Sequence, residues 1–391
     1  MRQHKWSRPL AIVGLSGVLA FAIAACGTST KGGGSQGSSA SGVTKTSVTF
    51  GQTAPSSGPA ALYGQSTAGV RAYFAMVNAN GGVNGRKLEL KSLDDQYEPP
   101  VAVQQTRKLI SQKEFAEVAV NGSATTKAVL NVVKPQSIPV IGPQSGATYL
   151  FQDTPDILYN VWPEYTIEGK LLGNYAKKLG LKKVGVLYQN DDFGQSLYKG
   201  VQDSGLKPAK VITYDPTQTD FGPQAQQFKS AGVDGVIILA IPKPTIAFLN
   251  AMAALNFKPT RLMSQVSAIP QSFSASPKEF PGSYIGAFIP PLKGSSSNPQ
   301  VSQFQQAMQK YEPKAPLSVF AAWGWTEAQV AVAGLKQVHG DLTRDSYMKG
   351  LQSVKNLQTL GGTLSYGPGD HVGLEKMFMV QARGGKLAPV K

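Results

Sequence analysis

Short apolar runs alternate with helical patterns along most of the chain. Residues 116–120 form an apolar run, 121–126 a hydroxyl-rich segment, 127–134 a helical segment, and 138–141 a second apolar run. Short apolar runs separated by helical patterns are typical of parallel strands joined by crossover helices. The stretch therefore predicts a strand–helix–strand unit, and the remaining elements are predicted to be arranged around it.

The loops that follow these two strands carry hydroxyl and amide side chains. The carboxyl ends of neighbouring parallel strands lie side by side, so a crevice is expected between their loops. Ser123, Thr125 and Thr126 would lie at the amino end of the helix, where free backbone N–H groups and the helix dipole favour an anionic group. Gln144 and Ser145 follow the adjacent strand. Ser and Thr are also ordinary helix N-caps, so helix capping and small-molecule binding both remain open.

The same alternation extends in both directions. Residues 53–64 are rich in Pro and Gly, which predicts a loop rather than a helix. Residues 363–366 and 378–380 are predicted to form a terminal hairpin. The other predicted strands are 48–52, 87–93, 184–188, 210–214, 234–240, 261–265 and 283–288, and the other predicted helices are 65–80, 99–112, 165–179, 221–231, 245–255, 298–311, 321–337 and 345–352. This pattern predicts an α/β fold with helices on both faces of parallel sheets.

The first 47 residues have a different character. Residues 1–25 begin with basic residues and continue as an apolar run, which is typical of a secretory signal peptide. Residues 23–27 (IAACG) resemble the lipobox of bacterial lipoproteins, and Cys26 is the only cysteine in the sequence. We expect Cys26 to be lipidated, the alternative being an incidental cysteine. Residues 26–47 are rich in Gly and Ser and predict a flexible tether to the membrane.

The composition argues against several classes of function. The formal net charge is +15, but the lysines are scattered and no nucleic-acid motif is present, so no nucleic-acid partner is expected. The sequence has three histidines and one cysteine, and no G-x-S-x-G motif follows residue 47, so we expect neither an enzyme, nor a metal site, nor a cofactor. Asp94 and Asp95 are interpreted as a solvated turn, because adjacent side chains at a strand end point in opposite directions.

Several separated motifs carry a family resemblance. A helix followed by GGVNGR (81–86), a strand, the Asp94-Asp95 loop and a helix ending in RKLI (107–110) resembles the amino-terminal lobe of type I periplasmic binding proteins. The specific resemblance is to the branched-chain amino acid (Leu/Ile/Val-type) solute-binding proteins of ABC importers, over roughly residues 46–385. The segment 191–194 (DDFG) resembles the acidic and aromatic loop that lines the family's cleft.

The resemblance implies two Rossmann-like lobes with parallel sheets, joined by three crossover segments. The implied domains are a signal peptide (1–25), a lipidated tether (26–47), an N-terminal lobe (48–162 plus 292–356) and a C-terminal lobe (163–291 plus 357–391). The implied function is an extracytoplasmic lipoprotein, monomeric, that closes on a small amino acid or related solute and delivers it to membrane permease subunits. A ligand sensor that signals through a receptor is the alternative.

The resemblance also implies the ligand-binding residues. Ser57 and Tyr63 match the first-lobe wall, and Phe193 matches the second-lobe aromatic. The loops that would hold the ligand's carboxylate and amino groups contain Ser123, Thr125, Thr126, Gln144, Ser145 and Gly146. Trp323 and Trp325 are either core anchors or cleft-wall aromatics.

Two positions depart from the family pattern. Pro242 stands where amino-acid binders have a cleft tyrosine, and Gln265 stands in the stretch where they place an acid for the ammonium group. A buried ammonium without a carboxylate partner is costly. A carboxylate, amide or aromatic solute without an amine is therefore an alternative ligand.

Overall fold

The computed structural model describes residues 40–152, 155–267, 275–292 and 298–390. Cys26, the predicted signal peptide and most of the predicted tether lie outside these residues. Within them, a five-stranded parallel sheet has the order β2-β1-β3-β4-β5. Its strands are β1 (Ser47–Thr53), β2 (Lys87–Leu93), β3 (Ala116–Val118), β4 (Val140–Ile141) and β5 (Leu158–Tyr159). This sheet and the helices packed on it form the first lobe.

The helices of the first lobe connect these strands. They are α1 (Gln65–Ala79), α2 (Pro99–Ser111), α3 (Ser123–Val133) and the short α4 (Tyr149–Gln152). A 3-10 turn at Ala61–Gly64 ends the segment predicted as a loop, and α3 begins at Ser123 rather than at residue 127. The β3 and β4 residues are fully buried, as expected for central strands with helices on both faces.

The second lobe is built on a seven-stranded sheet with the order β14-β13-β10-β9-β8-β6-β7. Its parallel strands are β6 (Val184–Gln189), β7 (Lys210–Tyr214), β8 (Gly235–Leu239), β9 (Thr260–Met263) and β10 (Tyr284–Ala287). Its helices are α5 (Tyr165–Lys178), α6 (Asp192–Asp203), α7 (Gly222–Ser230) and α8 (Pro242–Ala254). The chain then returns to the first lobe through α9 (Pro299–Tyr311), α10 (Val319–Lys336) and α11 (Arg344–Gln352).

The predicted terminal hairpin is wrong. β11 (Leu357–Thr359) instead pairs with β12 (Gly362–Leu364), and β13 (Phe378–Arg383) pairs with β14 (Lys386–Pro389) at the edge of the second sheet. Gly384 and Gly385 form the β13–β14 turn with φ of 54° and 71°, which is the left-handed geometry that a two-residue hairpin requires. The GPGDH segment does turn, through the Gly367–Asp370 bridge, but the two hairpins are closed at Gly361-Gly362 and Gly384-Gly385.

The chain changes lobes after β5, after β10 and after α11. The lobe boundaries expected from the sequence, at 162/163, 291/292 and 356/357, stay a prediction. Among the described residues, no helix combines the length and apolar character needed to cross a membrane.

Helices α1 and α10 pack with their backbones in contact. A Cβ added to Gly69 would lie 1.8 Å from the carbonyl oxygen of Ala321, and one added to Gly324 would lie 2.0 Å from that of Ser66. Glycine removes the side chain that would otherwise separate the two helices. The nearly fully buried α10 is therefore locked against the helix that follows β1.

Two neighbouring carboxyl groups are buried side by side in the first lobe. Glu117 on β3 and Glu114 just before it are both inaccessible to solvent. They lie above Gly51, whose added Cβ would be 1.7 Å from Glu114 Oε2 and 3.3 Å from Glu117 Oε2. Burial raises the pKa of both carboxyls, and the neighbouring Glu114 raises the pKa of Glu117 further. The Arg344 guanidinium opposes this shift at Glu114.

Candidate functional site

A small cavity lies where the two lobes meet. Its volume is about 10 Å³, which is room for about one water molecule. Nearly every residue that lines it follows the carboxyl end of a parallel strand, which is where open α/β sheets bind ligands. The lining residues are Tyr63, Tyr97, Asn121, Gly122, Ser123, Gln144, Trp162, Tyr165, Phe193, Ile241, Val266 and Trp323.

Aromatic rings form most of the cavity wall. Trp162 and Trp323 have ring centroids 4.5 Å apart, and those of Tyr165 and Phe193 are 5.3 Å apart. Tyr63 lies 6.3 Å from Trp323. Both lobes contribute rings, so a ligand between them would have aromatic contacts on opposite sides. Such walls favour an apolar or flat ligand body.

The amino end of α3 opens onto the cavity through Gly122 and Ser123. Gly122 precedes the helix with φ 90° and supplies no capping side chain. A Cβ at Gly122 would lie 2.6 Å from the Tyr97 ring, so the close approach also requires glycine. The Ser123 and Ser145 hydroxyl oxygens are 2.8 Å apart. An uncapped helix N-terminus presents N–H groups and a positive dipole end, which suit an anion.

A chain of buried polar groups runs from the cavity into α10. The Asn121 side-chain amide donates from Nδ2 to Gln144 Oε1 at 2.8 Å, and Gln144 Nε2 donates to Glu327 Oε2 at 2.8 Å. Trp162 Nε1 donates to the other Glu327 oxygen, also at 2.8 Å. Burial raises the pKa of Glu327 to about 8, although both of these donors favour its ionised form.

Two buried polar atoms on the cavity-lining residues have no hydrogen-bond partner among the described residues. One is Asn121 Oδ1, an acceptor, and the other is Trp323 Nε1, a donor. Both side chains are nearly inaccessible to solvent. Unpaired buried polar atoms are costly, so these two atoms are natural partners for a bound ligand.

Among the described residues, none that lines the cavity carries a formal charge. Asp191, the N-cap of α6, lies outside the lining and accepts bonds from the N–H groups of Phe193 and Gly194 at 3.1 and 3.2 Å. Its second oxygen accepts from Gln189 Nε2 at 2.6 Å. Burial raises the pKa of Asp191. This carboxyl is therefore occupied in holding the loop that positions Phe193.

The lobes also contact each other directly around the cavity. The bonds are Tyr63 Oη to the Val266 carbonyl oxygen (3.4 Å), Lys243 Nζ to that of Gly58 (2.9 Å), Thr148 N to Ser196 Oγ (3.1 Å), and the ion pair of Lys127 with Asp192 (3.2 Å). These bonds hold the lobes together around a small enclosed space.

Comparison with known proteins decides the family. The model of the periplasmic binding protein family matches residues 47–386, which is most of the chain. The chain belongs to this family. Within it, the resemblance to the Leu/Ile/Val type is confirmed. The Leu/Ile/Val-binding protein of Citrobacter freundii is 24% identical over 326 residues, covering 82% of this chain and 86% of that protein.

Solved structures share the fold of this periplasmic binding protein. A fatty acid ABC transporter substrate-binding protein from Thermomonospora curvata has a TM-score of 0.82 at 24% identity, covering 90% of this chain and 93% of the other. A solute-binding protein of an ABC transporter from R. palustris, in complex with benzoate, has a TM-score of 0.79 at 22% identity, covering 88% and 95%. At these identities the likeness concerns the fold, so the two-lobe α/β architecture expected from the sequence is confirmed.

Four of the residues predicted for the binding site line the cavity of this periplasmic binding protein. They are Tyr63, Ser123, Gln144 and Phe193. Trp323 lines it as well, whereas Trp325 packs against Tyr73 and Phe304 in the core. Trp323 is therefore a cleft-wall aromatic, and Trp325 is a core anchor. Direct ligand contact by the predicted residues stays a prediction.

The other predicted site residues lie around the cavity without lining it. The Ser57 hydroxyl donates to Asp94 at 2.6 Å, and Thr125 bonds to the Gly122 carbonyl oxygen within the first turn of α3. The Gln265 backbone N–H donates to buried Glu168 at 2.6 Å. The remaining four are buried next to lining residues: Thr126, Ser145, Gly146 and Pro242.

The interpretation of the acidic pair as a solvated turn is wrong for one of its members. Asp95 is inaccessible to solvent and accepts the Tyr97 N–H at 2.9 Å. Burial raises the pKa of Asp95 to about 7. Asp95 therefore fixes the loop that carries Tyr97 into the cavity.

Several lining residues were not identified from the sequence. They are Tyr97, Asn121, Gly122, Trp162, Tyr165, Ile241 and Val266. Tyr97, Asn121, Gly122, Ile241 and Val266 follow predicted strands, so their position after a carboxyl end was the available signal. Trp162 and Tyr165 follow β5, a strand that was not predicted. The sequence pattern did not distinguish any of these residues from the core residues beside them.

Proposed function

We propose that this periplasmic binding protein is the solute receptor of an ABC importer and that it traps a small organic acid with an apolar or aromatic body. The observation that carries the proposal is the cavity itself: aromatic walls, an uncapped helix N-terminus and no charged lining residue. In this binding mode the acid group lies at the start of α3 and the body lies between the rings.

The anionic end of the ligand is assigned to the first turn of α3 at Ser123, because the Gly122 N–H already donates to the Gln144 carbonyl oxygen at 3.3 Å. Free N–H groups and the helix dipole stabilise a carboxylate there without a cationic side chain. The Ser123 hydroxyl and the Trp323 N–H add neutral donors. Hydrogen bonds to a charged group are the stronger class, so this donor set supports a carboxylate.

The body of the ligand is assigned to the aromatic walls. The cavity has a volume of only about 10 Å³ while the lobes are in contact, so the lobes must separate to admit a solute between these rings. The benzoate complex of the R. palustris protein supports an aromatic acid, and the name of the T. curvata protein supports an acid with an apolar chain.

An amino acid is the second candidate, and the Leu/Ile/Val-binding relatives support it. Its ammonium group would need an anionic partner to offset desolvation. No lining residue is acidic, and both oxygens of Asp191 already accept bonds from the protein. This favours an acid without an amine.

The transport role follows from the two-lobe architecture. A solute that contacts both lobes stabilises the closed form by its differential affinity for that form, and closure presents one surface to a permease. We further propose an extracytoplasmic protein anchored by a lipid on Cys26. Loss of labelled-lipid incorporation in Cys26→Ser would support the anchor, whereas unchanged incorporation would refute it.

A thermal-shift screen tests the ligand class. A ligand that binds only the folded state at 100 times its dissociation constant stabilises that state by about 2.7 kcal/mol. We expect benzoate and short-chain fatty acids to raise the Tm more than leucine or valine at equal concentration. The opposite order would refute the proposed ligand class.

A matched pair of variants tests the site. Phe193→Ala removes a cavity ring, whereas Phe221→Ala removes a buried ring of the second lobe that does not line the cavity. Both should lower the Tm of the free protein, but only Phe193→Ala should abolish the shift caused by the acid. Equal retention of the shift in both variants would show that the site lies elsewhere.

A further inference from the structure

The buried Glu327 controls the orientation of two amide groups. An ionised carboxylate can only accept hydrogen bonds, so Gln144 must present its Nε2 to it. Gln144 Oε1 is then left to accept from Asn121 Nδ2. Asn121 Oδ1 has no partner in the part of the chain that the structure describes, and it belongs to a cavity-lining residue. In this state the cavity offers a hydrogen-bond acceptor.

Protonation of Glu327 permits the reverse arrangement. The carboxyl O–H, carrying a proton taken from solvent, donates to Gln144 Oε1. Gln144 Nε2 then donates to Asn121 Oδ1, and Asn121 Nδ2 is left for the cavity. Only side-chain torsions turn, because the backbone is held by bonds from Gln144 N to the Val120 carbonyl oxygen and from Asn121 N to that of Thr53. No other side-chain bond holds either amide in the part of the chain that the structure describes.

Trp162 anchors the acid in both states. Its Nε1–H donates to Glu327 Oε1 at 2.8 Å, and this oxygen accepts whether or not the other one is protonated. The carboxyl group therefore stays in place while its charge changes.

We propose that Glu327 is a specificity-determining positioning residue: through Gln144 it sets whether Asn121 presents an acceptor or a donor to the ligand. The inference rests on the proposed function for its ligand, and it adds a pH-dependent choice between ligand classes. An organic acid is bound more tightly when Glu327 is protonated. A solute with an N–H or O–H group at this point is bound more tightly when Glu327 is ionised.

Near neutral pH, the charge change of Glu327 dominates over charge changes in the groups around it. Burial raises the pKa of Glu327 to about 8, so both forms are populated just above neutral pH. Burial also raises the pKa of the phenols and the carboxyl that lie inside the fold near α10, which keeps those groups uncharged near neutral pH. These groups are Tyr63, Tyr73, Glu117, Tyr347 and Tyr366. The charged groups on the elements packed against α10 are instead exposed or half-buried: Arg71, Arg344, Asp345 and Lys349.

The relay is tested first without any ligand. In ¹⁵N-labelled protein, the Asn121 and Gln144 side-chain amide signals and the Trp162 indole signal are followed by NMR from pH 6 to 10. We expect all three to shift with one common midpoint. Titration of the indole alone, or of none of the three, would overturn the proposal. This measurement uses the unaltered protein and does not depend on whether a variant folds.

Glu327→Gln supplies the specific variant. Its Oε1 accepts from Trp162 and its Nε2 must donate to Gln144, which locks the relay in the orientation of the protonated state. Glu114→Gln is the matched control, because it also neutralises a buried carboxyl with a raised pKa but lies outside the relay. The common amide titration should disappear in Glu327→Gln and persist in Glu114→Gln. The reverse pattern would overturn the proposal.

Ligand binding supplies the second readout, with benzoate and benzamide as probes. Between pH 9.5 and pH 6.5 we expect the benzoate affinity of the unaltered protein to rise about tenfold, the value of one hydrogen bond to a charged group. The ratio of benzoate to benzamide affinity should rise with it, and Glu327→Gln should hold both at their low-pH values. A pH profile shared by the unaltered protein and Glu327→Gln would overturn the inference. Absence of binding by either probe would count against the proposed ligand class, while the amide titration would still decide the relay.

Discussion

Replacing the buried Glu117 with glutamine should flatten the pH dependence of stability. Glu117 lies on the central strand β3, inaccessible to solvent, with Glu114 beside it and Gly51 below. Burial and the neighbouring carboxyl raise its pKa well above the ordinary value of 4.5. Glutamine has nearly the same shape but does not ionise, so the substitution isolates the proton.

The sign and size of this pH dependence follow from the linkage between proton binding and folding. Because the pKa of Glu117 is raised in the folded state, the folded protein binds one proton more than the unfolded chain above about pH 4.5. This contribution to stability is complete below that pH and is lost as pH rises through the folded-state pKa. One proton corresponds to about 1.4 kcal/mol per pH unit over the range in which only the folded state holds the Glu117 proton. A change of this size per pH unit is a substantial part of a typical stability of about 5–15 kcal/mol.

Urea unfolding at pH 5.5, 6.5 and 7.5 measures this difference. The free energy of unfolding should fall less steeply with pH in Glu117→Gln than in the unaltered protein, by about one proton. Glu98→Gln, at an exposed carboxyl of the same lobe, is the control and should run parallel to the unaltered protein. If the Glu117→Gln curve is also parallel, Glu117 is not a protonated buried acid and the reasoning fails.

Three further substitutions give distinct expectations. Gly69→Ala should lower the free energy of unfolding by about 2 kcal/mol or more, because its Cβ would overlap the Ala321 carbonyl; an unchanged urea midpoint would contradict the close packing. Lys127→Ala should change it by less than about 1 kcal/mol, since the ion pair with Asp192 is partly exposed, and calorimetric unfolding checks this. Gly122→Ala should lower benzoate affinity in titration calorimetry by straining a positive φ and crowding the Tyr97 ring; unaltered affinity would place the acid group elsewhere.

Much of the architecture was predictable from the alternation of patterns. The segment at 116–141 gave β3, α3 and β4 in order, because a buried parallel strand is a continuous apolar run and its crossover helix is amphipathic. The terminal hairpin failed for a local reason. Gly384-Gly385 determines the pairing of the last strands, whereas the pattern of 363–380 left the partners open.

The sequence predicted which loops form the candidate site, but not which of their side chains line the cavity. Residues at the carboxyl ends of strands could be named from topology, and Ser123 and Gln144 follow from that rule. Which neighbour faces the cavity depends on local turns, so Asn121 and Gly122 were missed beside Ser123. The sequence did not indicate a role for Glu327, because it is a single acid within an apolar helix pattern. Its role is visible only in the structure, where Gln144 and Trp162 donate hydrogen bonds to it.

The backbone contact between α1 and α10 has an evolutionary consequence. Trp323 and Glu327 lie on consecutive turns of α10, and Tyr63 directly precedes α1. These two interlocked helices carry one wall of the cavity as a unit. Relatives should therefore diverge in ligand preference mainly through their strand-end loops, while a larger residue at the position of Gly69 should occur only with a compensating change on the facing helix.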